Sequence, residues 1–430
     1  MCLYCKQLER LVGLRKKSLG EDEDKYQTMV DLSGIADTGV SPLSSMGSLK
    51  KIQFSLSDLH FVPAQVSKIP LNIEEKVNTG TIIGPQARKP LKVSSSIMFS
   101  GMSYGAVSKK VRLILATVAS KLNVAINSGE DVVLPEEIKI AQKQLIIQYS
   151  PIRFESTQNA LKRCSAVEIR FGQGAYPGWL SRLPGSKMTG EVADLFGRRE
   201  GEDEFTPAHH PDITNEKELK EKVQSLKGQT GGIPVGAKIG CGNIEADVEM
   251  LAECGVDFIA LDGFGAGTGA TELFVREHVG APIVAALPRA DRHLRKMGKR
   301  DRVTLIAGGG LRTPADFAKC LALGANAIYI GTSALIAINC QQYRICHTGL
   351  CPTGITTNNP ELLKRLDMDE GIRRLTNFMT ASNLEISNYA RIVGKNDVGR
   401  LEREDLLALN RDLSDLTGVK WLDGIRKNLM

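Results

Sequence analysis

From residue 94 onward the chain alternates two textures. Short β-branched or apolar runs occur at 94–100, 123–127, 145–149, 166–171, 234–239, 256–261, 303–307 and 325–330. Between them, at 106–121, 136–143, 156–164, 244–254, 281–297 and 314–323, apolar residues recur every three to four positions. Continuous apolar runs predict strands buried on both faces, as in a parallel sheet. The intervening spacing predicts amphipathic helices. Eight such runs alternating with helices over about 250 residues predict an α/β fold, a (β/α)8 TIM barrel. A doubly wound open sheet is the alternative, and the lack of GxGxxG after the first run counts against it.

The flanks read differently. Residues 1–90 form a mixed N-terminal extension, Ser- and Gly-rich between Leu32 and Ser48, before a barrel spanning 91–339. A cysteine-bearing loop follows at 340–359, then a helical C-terminal tail at 360–430 with apolar spacing at Leu362, Leu363 and Leu366. The connection from Gly172 to Gly232 is too long for an ordinary link and predicts a functional loop. The acidic runs at 21–24 and 200–204 read as solvated loops.

Charge narrows the partners. The 430 residues include 55 Lys and Arg against 49 Asp and Glu, a net +6 too weak to imply nucleic acid. The charged N-terminus lacks the apolar core of a signal peptide, which predicts a cytoplasmic protein. One uncharged window, 320–343, is long enough to span a bilayer. Gly324, Asn326, Gly331 and Asn339 break it into helix end, strand and helix start, so no membrane span is predicted.

A barrel enzyme works at the C-terminal ends of its strands. Polar groups and glycines collect there after every run: Met102-Ser103, Glu130, Gln148, Arg170 with Gln173, Lys238, Gly267-Thr268, Gly309-Gly310 and Gly331-Thr332. Glycines at the last two ends, with a following helix start, suit a phosphate group. FMN fits this pattern, because Lys238 supplies a fixed cation for the negative charge that reduction places on a flavin.

Nine cysteines in a chain without a secretory signal point to metal or catalysis rather than disulfides. Cys340, Cys346 and Cys351 lie within twelve residues, in the order C-x5-C-H-x3-C-P. Three thiolates on one loop suit an iron–sulfur cluster. Zinc with His347 as fourth ligand, or three buried structural thiols, are the alternatives. Cys164, Cys241, Cys254 and Cys320 read as packing thiols, Cys2-x-x-Cys5 as a weaker candidate ligand pair, and His209-His210 as loop residues.

Together with Gly309-Gly-Leu-Arg-Thr313, Gly267-Thr-Gly-Ala270, Gln173-Gly-Ala175, Met102-Ser-Tyr-Gly105 and Gly394-Lys-Asn-Asp397, the cysteine motif resembles the FMN-binding domain of glutamate synthase. The likeness runs from about residue 60 to 425 and is greatest to the stand-alone archaeal and bacterial type. It implies FMN held by Met102, Ser103, Gln148, Lys238, Gly267, Thr268, Gly309, Gly310, Gly331 and Thr332. It implies a 3Fe-4S cluster on Cys340, Cys346 and Cys351. Glu130, Arg170, Gln173 and Lys187 would meet a 2-oxo or 2-imino acid, with Lys238, Glu130 and Gln173 catalytic. An electron donor (ferredoxin or a separate reductase subunit), a separate glutaminase subunit and an oligomeric state belong to the same expectation.

Departures from the family's pattern gather around the substrate. Gly129-Glu-Asp-Val132 stands where the family usually has Gly-Glu-Gly-Gly, and Arg170 where it has Lys. Tyr176, Leu180 and Ser181 replace a lysine and two glycines, with Trp179 beside them. Gly308 stands where the family has Asp or Ser. Bulk at 179–180 predicts a larger or less charged acceptor than 2-oxoglutarate. A non-catalytic electron-transfer subunit carrying FMN and the cluster is the other reading. An IMP-dehydrogenase-like barrel would need a cysteine after the sixth run, and 262–270 has none.

Overall fold

The computed structural model describes residues 23–422. All eight runs become strands: β1 (Ile97–Phe99), β2 (Ile126–Asn127), β3 (Leu145–Tyr149), β4 (Ala166–Arg170), β5 (Val235–Gly240), β6 (Phe258–Asp262), β7 (Thr304–Gly308) and β8 (Ala327–Ile330). They are parallel and close into one barrel, with β8 joined to β1 through Tyr329 opposite Met98. Closure removes every sheet edge and excludes the open doubly wound sheet.

The strands are buried on both faces because each meets a different apolar layer. Inside, Met98, Ile146, Phe258 and Ile306 pack with Ile83, Leu91 and Val93. The last three belong to an antiparallel hairpin, Thr81–Ile83 with Leu91–Val93, whose Ile82 lies opposite Lys92. The backbone N–H of Gly84 donates to Thr304 Oγ1 at 3.0 Å, at the start of β7. The hairpin therefore plugs the N-terminal mouth and leaves only the opposite end open for chemistry.

Outside, the helices Lys109–Leu122, Pro135–Ala141, Glu155–Ala160, Glu216–Gln229, Ile244–Glu253, Ile283–Lys296 and Pro314–Ala322 follow β1 to β7 in turn. The first is capped by Ser108 and the last by a Thr313–Asp316 capping box with Pro314 behind it. After β8 comes the short helix Thr332–Ile338. The long helix Met368–Ile392 packs on it and on the first and seventh helices, burying Leu375, Met379 and Ile386.

Glu216–Gln229 lies inside the connection read as one long loop. Its apolar residues are only Leu219, Val223 and Leu226, an i, i+4, i+7 stripe in an otherwise polar helix. The same connection holds a hairpin in which Ser181–Leu183 pairs with Glu204–Thr206.

The flanks are drawn together. Leu59–Phe61 pairs antiparallel with Leu406–Ala408, which runs parallel to Lys420–Trp421. Leu43–Ser44 pairs with Thr271–Glu272 in the loop after β6. Cys2 and Cys5 lie outside the described residues. Among those described, no helix is long and apolar enough to cross a membrane, and the window 320–343 divides into helix end, β8 and helix start.

Candidate active site

At the centre of the barrel lies a buried carboxylate. Glu168, on β4 and 0% exposed, accepts hydrogen bonds from Asn127 Nδ2 (2.8 Å), Gln148 Nε2 (2.7 Å) and Tyr329 Oη (3.0 Å). Burial pushes its carboxyl up, opposed by the cation of Lys238 and these donors. Lys238 is 3% exposed and its Nζ lies 3.3 Å from Asp262 Oδ2. Asp262 Oδ2 also accepts the Gly174 backbone N–H at 3.0 Å. Six of the eight strands contribute to this network, so Lys238 has little freedom to move.

Above it opens a cleft enclosing about 1280 Å³, part of it continuous with solvent. Met102, Ser103, Glu130, Gln173, Lys187, Lys238, Gly267, Thr268, Gly309, Gly310, Gly331 and Thr332 line it, and Cys340 and Cys346 reach it from the cysteine loop. Arg170 and Gln148 are not among the lining residues. Arg170, 1% exposed, stands behind Glu130, and Gln148 is turned to Glu168.

The glycines make one end of the cleft. A Cβ on Gly309, which has φ +94°, would fall 2.4 Å from the backbone N and O of Gly263, and one on Gly267 would fall 2.7 Å from Thr332 Oγ1. The loops after β6, β7 and β8 therefore touch, with backbone rather than side chains facing the cleft. Arg312 lines this end as well. Among the described residues its guanidinium donates only to Leu311 O (3.0 Å), while Asp316 is occupied by the backbone N–H groups of Arg312 and Thr313. Burial pushes Arg312 down in pKa, opposed by the charge of Asp316. Backbone donors and a spare guanidinium fit a phosphate. Nothing in the local sequence marks Arg312, although it lies in the Gly309-Gly-Leu-Arg-Thr313 motif.

At the opposite end, Glu130 Oε2 lies 3.0 Å from Arg170 Nε, and Glu130 Oε1 accepts from Tyr176 Oη at 3.0 Å. Burial and the Glu130 charge hold the Tyr176 hydroxyl well above its usual range. Asp131, 7% exposed, also lines the cleft. Burial, then Glu130, raises its carboxyl well above the usual range. The hairpin 181–206 roofs this end through Ser181, Arg182, Glu204 and Thr206. Trp179 does not face the cleft: it is 38% exposed, donates from Nε1 to Glu272 Oε2 (2.9 Å) and meets Phe274 edge-on at 5.5 Å. Leu180 is not a lining residue either. The expectation that Trp179 and Leu180 fill the acceptor space is therefore corrected: the chain turns at Gly178 and sends the indole outward.

The roof is anchored by His210, which donates from Nε2 to Arg170 O at 2.8 Å and stacks on Tyr149 at 5.7 Å. Burial pushes its pKa down to about 4. An unfolded histidine titrates near 6.5, so between these values the unfolded chain binds more protons and stability falls as pH falls. His210 is expected to account for a loss of up to roughly 3 kcal/mol between pH 6.5 and 4. Urea midpoints at pH 7 and 4.5 check this: the gap between them should narrow in His210→Asn.

At the cysteine end, Cys351 Sγ lies 3.3 Å from Thr353 Oγ1. Burial opposes its ionisation, but Thr353 and Thr356 outweigh that and bring the thiol down to about 7. All three loop cysteines are free. Among the described residues no three His, Cys, Asp or Glu side chains converge on a single ion. His347 Nδ1 lies 2.6 Å from Ser45 Oγ, which fixes the orientation of its ring. A cluster spreads its thiolates more widely than one ion does, and a readily ionised thiol suits it. Lys187, a sequence-predicted substrate ligand, sits at this end. Burial lowers it to about 8, opposed by Cys346 and Cys351.

Sequence reasoning also missed Met46. Its backbone N–H donates to Thr268 O at 2.7 Å and its side chain lines the cleft, on a segment whose Gly47 O accepts from Arg344. Nothing in the local pattern marks it, because its role comes from a contact more than 200 residues away in the chain.

Comparison with known proteins matches this architecture. A family model described as the conserved region in glutamate synthase matches residues 30–396. A glutamate synthase large subunit-like protein of Rhizobium meliloti is 34% identical, covering 93% of this chain and 96% of the relative. The archaeal glutamate synthase [NADPH] of Methanocaldococcus jannaschii is 34% identical, with 91% and 83% covered. Among solved structures, a double mutant of flavocytochrome b2 with pyruvate bound superposes with a TM-score of 0.52 at 17% identity, over 84% of this chain and 78% of that one. An oxidised active mutant of (S)-mandelate dehydrogenase gives 0.53 at 14%, over 82% and 89%. These two likenesses bear on the barrel; the sequence relatives and the family model go further, and the chain belongs to the glutamate synthase family.

Proposed function

We propose that the chain is an oxidoreductase that uses FMN and a 3Fe-4S cluster to reduce a 2-imino acid, formed from 2-oxoglutarate or a related 2-oxo acid and an amine, to an amino acid. The observation that carries this is the single cleft with three chemically distinct ends: a glycine-lined end with the unpaired Arg312, a polar end at Glu130, and a thiol end at Cys340 and Cys346. Family membership favours the same chemistry.

Arg312 and the backbone at Gly309, Gly310, Gly331 and Thr332 would hold the FMN phosphate, and Cys340, Cys346 and Cys351 the cluster. When bound, the cluster passes single electrons and the flavin delivers a hydride. Condensation of the oxo acid with the amine loses water, and two electrons with two protons then saturate the C=N bond. Lys238, fixed by Asp262 and Glu168, would supply a positive charge that stabilises the reduced flavin. Gln173 orients the acceptor, while Glu130 and Tyr176 hold the proton exchanged with its nitrogen. Arg170 acts through Glu130, which it positions. The 43–48 segment and the hairpin roof cover the cleft against water. Electrons come from ferredoxin or a separate reductase subunit, and the amine is free or delivered by a separate glutaminase subunit.

Anaerobic photoreduction of the flavin, followed by a 2-oxo acid and ammonium, tests this. Reoxidation that requires both supports it; reoxidation by neither counts against it. Arg312→Ala is expected to weaken FMN binding by roughly tenfold to a hundredfold, the value of a charge-assisted contact. Fluorescence titration of the apoprotein with FMN measures it.

A further inference from the structure

One buried cation has no part in the chemistry above. Lys187 is 1% exposed, on the short turn Gly185–Lys187 that follows the first strand of the roof hairpin. Its ammonium donates to Ala106 O in the loop after β1, and a Cβ on Gly269, in the loop after β6, would fall 4.0 Å from the same nitrogen. Its stem rests on the cysteine loop, where a Cβ on Gly349 would fall 3.3 Å from Lys187 Cγ and 3.0 Å from Ser186 O. Ser186 Oγ donates to His347 O at 3.2 Å, and Asn358 Nδ2 donates to Lys187 O at 2.8 Å. The turn is thus tied to the cysteine loop on both sides of Gly349, while the ammonium reaches into the cleft that Cys346 also lines. Among the described residues no carboxylate pairs with Lys187, and it bonds to none of Glu130, Gln173 and Tyr176 at the polar end.

From this placement we infer that Lys187 is the counter-charge of the iron–sulfur cluster, raising its reduction potential, and not a ligand of the acceptor. A buried ammonium is costly unless an anion meets it. The anionic groups the fold sets beside this one are the thiolates that would hold the cluster, and the charges acting on Lys187 are those of Cys346 and Cys351. Three thiolates give a 3Fe-4S cluster net negative charge, and one electron taken from the external donor makes it more negative. A fixed cation therefore favours the reduced cluster over the oxidised one, the more so where burial excludes screening by water and salt. Lys187 itself neither gains nor loses a proton in this role. The inference rests on the cluster proposed above and adds the residue that tunes it.

The experiment is a redox titration of anaerobically purified holoenzyme, followed by the EPR signal of the oxidised cluster. In Lys187→Met the cluster potential is expected to fall by about 59 mV, a tenfold change in a one-electron equilibrium. Lys187→Arg keeps the charge and should stay close to the unaltered protein. A second readout separates this role from acceptor binding: the glutarate concentration that perturbs the oxidised flavin spectrum should be the same in Lys187→Met as in the unaltered protein. An unchanged cluster potential in Lys187→Met overturns the inference, and so does a roughly tenfold weaker response to glutarate with the potential unmoved. Where Lys187→Met retains no iron, the two variants decide together. Iron kept by Lys187→Arg supports a need for the charge, whereas iron lost from both overturns it. Lack of iron in the unaltered protein would instead overturn the reading beneath it.

Discussion

Lys238→Met is expected to reduce acceptor-dependent flavin reoxidation by at least about a hundredfold, the usual scale for removing a preorganised charge from a reacting centre. It should also destabilise the fold. Lys238 is the cation facing two buried carboxylates, Asp262 at 3.3 Å and Glu168 within the barrel. Removing it leaves both without a counter-charge, and breaking a buried pair on one side typically costs about 3–5 kcal/mol. The flavin reduction potential should fall, since the reduced ring's negative charge loses its neighbour. Stopped-flow reoxidation, urea unfolding and a spectroelectrochemical titration measure the three effects. A variant with unchanged rate and potential would remove Lys238 from the mechanism, even if stability fell.

Cys351→Ser gives the other large effect. The Cys351 thiol is brought down to about 7 by Thr353 and Thr356. A serine hydroxyl at that position does not replace a thiolate as a ligand. Iron should be lost almost completely while flavin is retained, because the glycine-lined end that would hold FMN makes no contact through Cys351. Reduction by an external electron donor should then fail, whereas photoreduction of the flavin should still succeed. Iron retained at the wild-type ratio would mean that the cysteines hold something other than a cluster, or nothing.

Much of the barrel could be read from the chain, and the reason lies in burial. A strand such as Leu145–Tyr149 is apolar or enclosed at every position, so its run is continuous and stands out. The helices Lys109–Leu122 and Pro314–Ala322 were legible because apolar residues recur every three to four positions along them. Glu216–Gln229 escaped because three apolar residues carry its whole packing face. Of the site, the residues at strand ends were legible, since the barrel fixes where Lys238, Glu130 and Gly309 must point. What the strands do not fix was not. Arg170 stands behind Glu130, and Trp179 turns to Glu272, because the hairpin over 181–206 folds on the cleft in a way that no local pattern encodes. Met46 and the placing of Arg312 in the cleft likewise depend on contacts formed only in the folded chain.

On the proposed reading, one cleft joins a flavin to an iron–sulfur cluster. Purification without oxygen, followed by a visible spectrum with flavin and iron analysis, tests it most directly. One FMN per chain is expected, with iron and sulfide in the ratio of a 3Fe-4S cluster. Zinc in place of iron, with no flavin, would contradict it.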